Sequence, residues 1–158
     1  MIIIGITGSI GMGKTTIAQM LKRFNIPVFD SDKEVKDILE NSNLVKDQLH
    51  QLWPDVILTQ ANEKKIDKKL LSIKIFTDKK NRKTLENILH PLVHKRRDAF
   101  IKREDKSFII ALDVPLLYEI GIDKICDDIF LAYTSEKIQE ARVLARPNMS
   151  LQKFNLIK

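Results

Sequence analysis

The residues with the clearest chemical meaning lie near the amino terminus, where residues 8–15 read Gly-Ser-Ile-Gly-Met-Gly-Lys-Thr. This run satisfies the pattern G-x-x-x-x-G-K-[ST], in which glycines let successive backbone N–H groups point at phosphate oxygens. The Lys14 ammonium can bridge the β- and γ-phosphates of a nucleotide, and the Thr15 hydroxyl can hold Mg²⁺. Thr16 is placed to reach the α-phosphate. We call residues 8–15 the phosphate loop.

A glycine-rich turn that merely caps a helix is the alternative interpretation of this loop. The complete pattern and its place between an apolar run and a helical pattern favour nucleotide binding. A phosphate loop indicates a nucleotide but not a reaction, so the choice between a kinase and a hydrolase depends on what faces the γ-phosphate.

Two carboxylates follow the second apolar run, in Asp30-Ser31-Asp32. The carboxyl ends of parallel strands form the rim at which open α/β sheets bind ligands. Asp32 could accept the proton of an attacking hydroxyl, with Asp30 supporting a Mg²⁺ shell or the turn. Both aspartates could instead cap the following helix, since carboxylates favour helix amino termini. Position alone leaves the two interpretations equal.

Further charged residues could serve phosphoryl transfer. Asp113 ends another apolar run and could hold a magnesium-bound water, or it could be an ordinary turn residue. Arg142 and Arg146, four residues apart on a predicted helix, could close over the phosphates and neutralise charge. A solvated basic helix is the alternative for that pair. His90 precedes Pro91, which favours a structural cap over a general base.

The elements that must position these residues follow from hydrophobic periodicity. Short apolar runs at 2–6, 27–30, 108–113 and 129–133 predict strands, and helical spacing separates them. Strands alternating with helices predict an α/β fold with a parallel sheet, of the three-layer type that carries phosphate loops. Residues 42–103 are mostly helical in pattern, with a loop around 60–65 and a new helix from Pro91. They predict a helical insertion after the second strand.

Composition narrows the class of protein. The chain has 158 residues, 27 Lys and Arg against 21 Asp and Glu, and one cysteine, Cys126. The formal charge of +6 favours anionic partners without choosing among them. A single cysteine excludes an internal disulfide and fits a reducing compartment. The amino terminus lacks a basic segment ahead of its short apolar run, so we predict a cytoplasmic protein without a membrane span.

Four sequence features together resemble the dephospho-coenzyme A (dephospho-CoA) kinases. They are the opening Ile-Thr-Gly-x-Ile-Gly-x-Gly-Lys-Thr-Thr, the Asp30-Ser31-Asp32 element, residues 89–92 (Leu-His-Pro-Leu) and residues 113–119 (Asp-Val-Pro-Leu-Leu-Tyr-Glu). The resemblance runs the whole length of the chain. It implies transfer of the ATP γ-phosphoryl group to the ribose 3′-hydroxyl of dephospho-CoA, the last step of coenzyme A synthesis, with Mg²⁺ as cofactor.

The resemblance also assigns site residues. Asp32, Lys14 and Arg142 are the implied catalytic residues, and Thr15 and Asp113 the implied metal ligands. The implied ATP contacts are Gly8, Gly11, Met12, Gly13, Lys14, Thr15, Thr16 and Arg146. The implied acceptor contacts are Asp32, His90, Pro115, Leu116 and Glu119.

The same resemblance implies an organisation for the chain. We expect a nucleotide-binding core at 1–30 and 105–158, a lid at about 139–150, and a helical acceptor domain at 31–104. Family members are monomeric and continue past Lys158 with a further helix and a fifth parallel strand. We therefore expect a fragment or a shortened chain, whose fourth strand offers an exposed edge for self-association.

Three other functions stay open at this point. One is a different small-molecule kinase of the same fold, against which residues 89–92 and 115–117 argue. Another is a shortened ATP-binding protein with little or no turnover. The last is a nucleic-acid-binding ATPase, for which only the net charge speaks, because the sequence has no aromatic platform or recognised nucleic-acid motif. We therefore expect neither a nucleic-acid nor a membrane partner.

Overall fold

The computed structural model describes residues 1–60, 63–147 and 149–157. The chain divides into two compact units. The first unit contains Met1–Ser31 and Phe100–Lys158, and the second contains Asp32–Ala99. No helix in the described ranges is both long enough and apolar enough to cross a membrane.

The described residues form six strands and seven α-helices. The strands are β1 (Ile2–Thr7), β2 (Val28–Asp30), β3 (Ile57–Gln60), β4 (Glu63–Ile66), β5 (Ile109–Asp113) and β6 (Asp128–Leu131). The helices are α1 (Lys14–Arg23), α2 (Ser31–Asn41), α3 (Asn43–Leu52), α4 (Lys68–Thr77), α5 (Lys79–Arg103), α6 (Glu136–Leu144) and α7 (Leu151–Ile157).

The first unit is built on a parallel sheet with the strand order β2-β5-β1-β6. The two central strands are nearly continuous apolar runs, as expected for strands covered on both faces. Ile6, Ile110 and Leu112 are fully buried. Helix α1 packs Ala18 against Ile6 in this core. The predicted α/β fold with a parallel sheet is therefore confirmed.

The register of the sheet brings the chemically important residues to one edge. Ile6 of β1 lies opposite Asp113 of β5, and Asp30 of β2 lies opposite the same Asp113. Because all these strands are parallel, the phosphate loop, Asp30 and Asp113 lie together at the carboxyl end of the sheet. At one side of the sheet, β6 pairs with β1 alone among the described strands, and its Leu131 is exposed.

The second unit corrects two sequence expectations. The first concerns the loop expected around 60–65. β3 and β4 pair there in an antiparallel hairpin, with Ile57 opposite Ile66 and Thr59 opposite Lys64, while residues 61 and 62 lie outside the described residues. Apolar and polar residues do not alternate in these strands, because the buried Ile57 is followed by Leu58, which is apolar but half exposed. The strands therefore could not be predicted from the sequence pattern.

The second correction concerns Pro91, which does not begin a helix but lies inside α5. Proline in a helix interior removes one backbone hydrogen bond and costs about 3 kcal/mol or more. Leu85, Leu89 and Val93, at helical spacing around it, are all buried. Their burial offsets that cost, at roughly 1.5–3 kcal/mol for each large side chain.

Candidate active site

The phosphate loop has a backbone that only glycine adopts readily at its key positions. Gly11 has φ 77° and Gly13 has φ 108°, both in the left-handed region. A Cβ atom at Gly11 would lie 2.6 Å from Val143 Cγ2, closer than carbon atoms can approach. Helix α1 then starts with the Thr16 and Ile17 amides donating to the Gly13 carbonyl. The amino-terminal end of α1 therefore faces the loop, as an anion site requires.

Lys14 is held by a buried carboxylate. Its ammonium lies 2.6 Å from Asp113 Oδ1, and the two side chains are 15% and 5% exposed. The contact follows from the register, because Asp113 ends the strand that runs beside β1. The ion pair holds the Lys14 ammonium at the carboxyl edge of the sheet, beside the loop amides. This arrangement can bind and orient a polyphosphate.

Two hydrogen bonds hold the segments that follow β2 and β5 at the carboxyl edge of the sheet. The Ser31 hydroxyl donates to the Asp113 carbonyl at 3.0 Å, and the Thr7 hydroxyl donates to the Pro115 carbonyl at 3.0 Å. Ser31 begins α2, so its bond fixes the start of that helix to the end of β5. Thr7 immediately precedes the phosphate loop, so its bond fixes the segment after β5 beside that loop. Leu116 and Glu119 in this segment are exposed.

Helix α6 packs directly on the phosphate loop. The Gln139 side-chain amide donates to the Ile10 carbonyl at 2.8 Å. One turn later, Arg142 Nη1 donates to the Gly11 carbonyl at 3.4 Å, and the Arg142 side chain is otherwise exposed. Of the predicted site residues in this region, Arg142 is the one that the structure brings to the loop.

Gln139 contacts the phosphate loop but was not among the site residues predicted from the sequence. It is only 1% exposed, and its Oε1 atom is buried without a hydrogen-bond partner among the described residues. A buried glutamine on a surface-facing helix is unusual, because such side chains are mostly exposed. Its spacing of three residues from Arg142 was the available signal, since residues three apart share one helix face.

The expected pairing of Arg142 with Arg146 on one helix face is wrong. α6 ends at Leu144, and Arg146 lies beyond it in an exposed bend. Pro147 explains the early end, because the residue before a proline is disfavoured in the helical conformation. Asn148, inside the predicted lid, lies outside the described residues.

Asp32 and His90 belong to the second unit. Asp32 is exposed in the first turn of α2, where the helix dipole favours a carboxylate. His90 lies in the middle of α5, so the expectation that it caps a helix is wrong. Its ring stacks on His94 with 6.1 Å between ring centroids. Burial, with Arg97 and His90 nearby, lowers the pKa of His94 below its usual value.

The oxygen donors of the first unit are of the kind that Mg²⁺ takes. The Thr15 hydroxyl is exposed on the first turn of α1, and Asp113 supplies a carboxylate at the same sheet edge. The described residues contain no cluster of three or more His, Cys, Asp or Glu that could hold a metal alone. Mg²⁺ commonly binds through one or two protein ligands together with substrate phosphates and water. The donor set therefore fits Mg²⁺ bound jointly with a nucleotide.

A family model for dephospho-CoA kinase matches residues 2–157. The chain belongs to the dephospho-CoA kinase family. This family catalyses the final step of coenzyme A synthesis, and the chain is accordingly an ATP-dependent kinase. It is 37% identical to the dephospho-CoA kinase of Nitrobacter winogradskyi, over 100% of this chain and 77% of that protein. It is 35% identical to that of Agrobacterium fabrum, over 99% and 79%.

Solved structures share the fold of this chain. The structure of TT1252 from Thermus thermophilus superposes with a TM-score of 0.83 at 28% identity, over 99% of this chain and 78% of that one. The dephospho-CoA kinase of Campylobacter jejuni has a TM-score of 0.68 at 24% identity, over 98% and 77%. The second likeness supports the fold alone.

Proposed function

We propose that this chain transfers the γ-phosphoryl group of ATP to the ribose 3′-hydroxyl of dephospho-CoA, with Asp32 as the general base. The observation that carries the proposal is the Lys14 ammonium, held by Asp113 beside a glycine loop at the start of α1. Membership of the dephospho-CoA kinase family supports dephospho-CoA as the acceptor. In the reaction the 3′-oxygen bonds to the γ-phosphorus, the bond from that phosphorus to the β,γ-bridging oxygen breaks, and ADP leaves.

The ATP side consists of the loop and its neighbours. The backbone amides from Gly8 to Thr16 hold the phosphate oxygens, and Lys14 lies at the β- and γ-phosphates. Thr15 and Asp113 would hold Mg²⁺, which when bound neutralises charge on the phosphates. Arg142 adds an exposed positive charge near Gly11, where it can stabilise the γ-phosphoryl group during transfer. Arg146, beyond the helix end, is proposed as a second phosphate contact.

The acceptor side begins where the second unit begins. Asp32 directly follows Ser31, whose hydroxyl is tied to the Asp113 carbonyl, so the chain itself limits how far Asp32 can lie from the sheet edge. Its exposed carboxylate takes the proton of the 3′-hydroxyl, an effect worth about 10²- to 10⁴-fold in rate. Pro115, Leu116 and Glu119 in the first unit, and His90 in the second, are proposed as acceptor contacts.

The remaining proposals concern organisation. Residues 1–30 and 105–158 act as the nucleotide-binding core with a lid at about 139–150, and residues 31–104 as the acceptor domain. The protein works in the cytoplasm, with Mg²⁺, and without nucleic-acid or membrane partners. We propose the monomeric state expected for the family, with self-association through the edge of β6 that no other described strand pairs as the alternative.

The proposal is tested by measuring ADP release in the presence of dephospho-CoA. The assay compares the wild-type chain with the Lys14→Ala and Asp32→Asn variants. We expect turnover by the wild-type chain and its loss in Lys14→Ala. Asp32→Asn should keep its ATP affinity and lose rate, because an amide cannot accept the proton. Normal turnover by Asp32→Asn would remove Asp32 as the base. ATP binding without transfer by the wild-type chain would favour an ATP-binding protein, and transfer only to other acceptors would favour a different kinase.

A further inference from the structure

The second unit contains a partly apolar hollow of about 310 Å³ between α2 and α5. It is lined by Ile38, Ser42, Leu92, Lys95, Arg96 and Ala99. The four residues from α5 follow the spacing i, i+3, i+4 and i+7, so they share one face of that helix. A volume of this size lies at the lower end of small-molecule sites, which span roughly 300–1,000 Å³.

One wall of the hollow carries a fixed hydrogen-bond donor. Arg96 Nη1 donates to Glu34 at 2.8 Å and to Asp37 at 2.6 Å. These two carboxylates raise the pKa of Arg96, so the guanidinium stays charged and in place. Both bonds use Nη1, which leaves Nη2 and Nε of Arg96 without a hydrogen bond to any residue that the structure describes.

The chemistry of these walls selects a neutral ligand. Lys95 and Arg96 on the walls balance Glu34 and Asp37 in formal charge, so the cluster has no net charge that would single out another phosphate. Its spare N–H groups can still donate to a carbonyl oxygen. Leu92, Ala99 and Ile38 line the same hollow as Arg96 and offer apolar surface. An uncharged chain with amide and methyl groups is the ligand that fits both features.

We propose that this hollow receives the pantetheine arm of dephospho-CoA, with Arg96 donating to an amide carbonyl of the arm. This inference rests on the proposed function, because it takes the acceptor and the place of Asp32 from it. Pantetheine has two amide groups and a pair of methyl groups on one carbon, and it carries no charge. It therefore matches the donors and the apolar walls of the hollow.

The distance along α2 also fits this assignment. Ile38 follows Asp32 by six residues within α2, which is about 9 Å along the helix axis. In dephospho-CoA about nine bonds separate the 3′-oxygen from the first carbon of the arm, or roughly 10 Å at about 3.5 Å for every three extended bonds. An acceptor with its 3′-hydroxyl at Asp32 can therefore reach the hollow as its arm begins.

A second hollow in the same unit serves as the comparison. It measures about 680 Å³ and is lined by polar and charged side chains, among them the exposed Asn43. Because its described lining offers no apolar side chain, it does not suit the arm. A tryptophan can be placed at an exposed position on the rim of each hollow so that it fills that hollow. Comparing the two variants shows which hollow binds the acceptor.

The test uses the full chain as wild type, Ala99→Trp and Asn43→Trp, with the milder Ala99→Met in case the tryptophan disturbs folding. We expect Ala99→Trp to raise the KM for dephospho-CoA by at least about tenfold, since lost apolar contacts of a few methylenes have effects of this size. The kcat at saturating acceptor, the affinity for ATP and the melting temperature should stay at their wild-type values. Asn43→Trp should leave the KM for dephospho-CoA unchanged.

An unchanged KM in both Ala99 variants would overturn the assignment, and so would an equal or larger effect of Asn43→Trp. A fall in kcat without a change in KM would also overturn it, because the substitution would then act on catalysis and not on the arm. These outcomes differ from failure of the proposed function, in which the wild-type chain itself would not phosphorylate dephospho-CoA.

Discussion

Replacing Gln139 tests whether α6 sets the shape of the phosphate loop. Gln139→Leu introduces an apolar side chain of similar size and removes the amide that donates to the Ile10 carbonyl at 2.8 Å. A hydrogen bond of this kind contributes about 0.5–1.5 kcal/mol net. If that energy favours the loop conformation that binds ATP, its loss lowers the ATP affinity by roughly two- to tenfold.

The Gln139→Leu substitution should affect the melting temperature and the ATP affinity differently. Gln139 Oε1 is buried without a partner among the described residues, and a buried unsatisfied acceptor costs about 1–3 kcal/mol. Gln139→Leu removes this acceptor together with the donor. We therefore expect an unchanged or higher melting temperature alongside weaker ATP binding, which separates a positioning role from general stabilisation.

Gln139→Glu adds a pH-dependent version of the same test. An ionised carboxylate cannot donate to the Ile10 carbonyl, whereas a protonated one can. Burial raises the pKa of a carboxyl group, so the ATP affinity of this variant should fall, relative to wild type, as the pH rises. The protonated form should bind ATP nearly as well as glutamine.

The assay is calorimetric titration with ATP over a pH series, with melting curves for each variant. Gln152→Leu is the matched control, because Gln152 is exposed on α7 and undergoes the same chemical change. Wild-type ATP affinity in Gln139→Leu would show that this hydrogen bond does not set the shape of the phosphate loop. A loss of affinity that only parallels a loss of stability would show the same.

Two further predictions address the loop and the second unit. Gly11→Ala should weaken ATP binding at least about tenfold, because φ 77° costs a residue with a side chain about 1–2 kcal/mol and the new Cβ lies 2.6 Å from Val143 Cγ2. Adding Val143→Ala should recover only part of the loss, and full ATP affinity in the single variant would contradict the loop geometry. Because the pKa of His94 is lowered in the fold, the free energy of unfolding should fall as the pH drops below about 6.5, the value for an unfolded histidine. His94→Phe should flatten this dependence in denaturant titrations, and an unchanged slope would assign it to another group.

The sequence predicted the parts of the fold that depend on local patterns. The β-branched run at 2–6 and the apolar run ending at Asp113 became adjacent parallel strands, because such runs need burial on both faces. The glycine pattern at 8–15 predicted the loop, since its left-handed residues exclude side chains. For the same local reason Lys14 could be placed at the start of α1.

Other features depended on contacts between distant residues. α5 continues through Pro91 because buried leucines and a valine on both sides of it hold the helix, and periodicity alone does not weigh that burial against the missing N–H. The hairpin of β3 and β4 shows little alternation, so its polar residues resembled a loop. The contact of Gln139 with the phosphate loop depends on the position of α6 beside Ile10, which the sequence pattern does not specify.

Transfer to the 3′-hydroxyl is tested by comparing dephospho-CoA with its 3′-deoxy analogue under saturating ATP, with ADP and coenzyme A quantified together. We expect one ADP for each coenzyme A formed from dephospho-CoA, and only background ADP with the analogue. Equal ADP release with both compounds would rule out the 3′-hydroxyl as the acceptor, because the γ-phosphoryl group would then be going to water or to another hydroxyl.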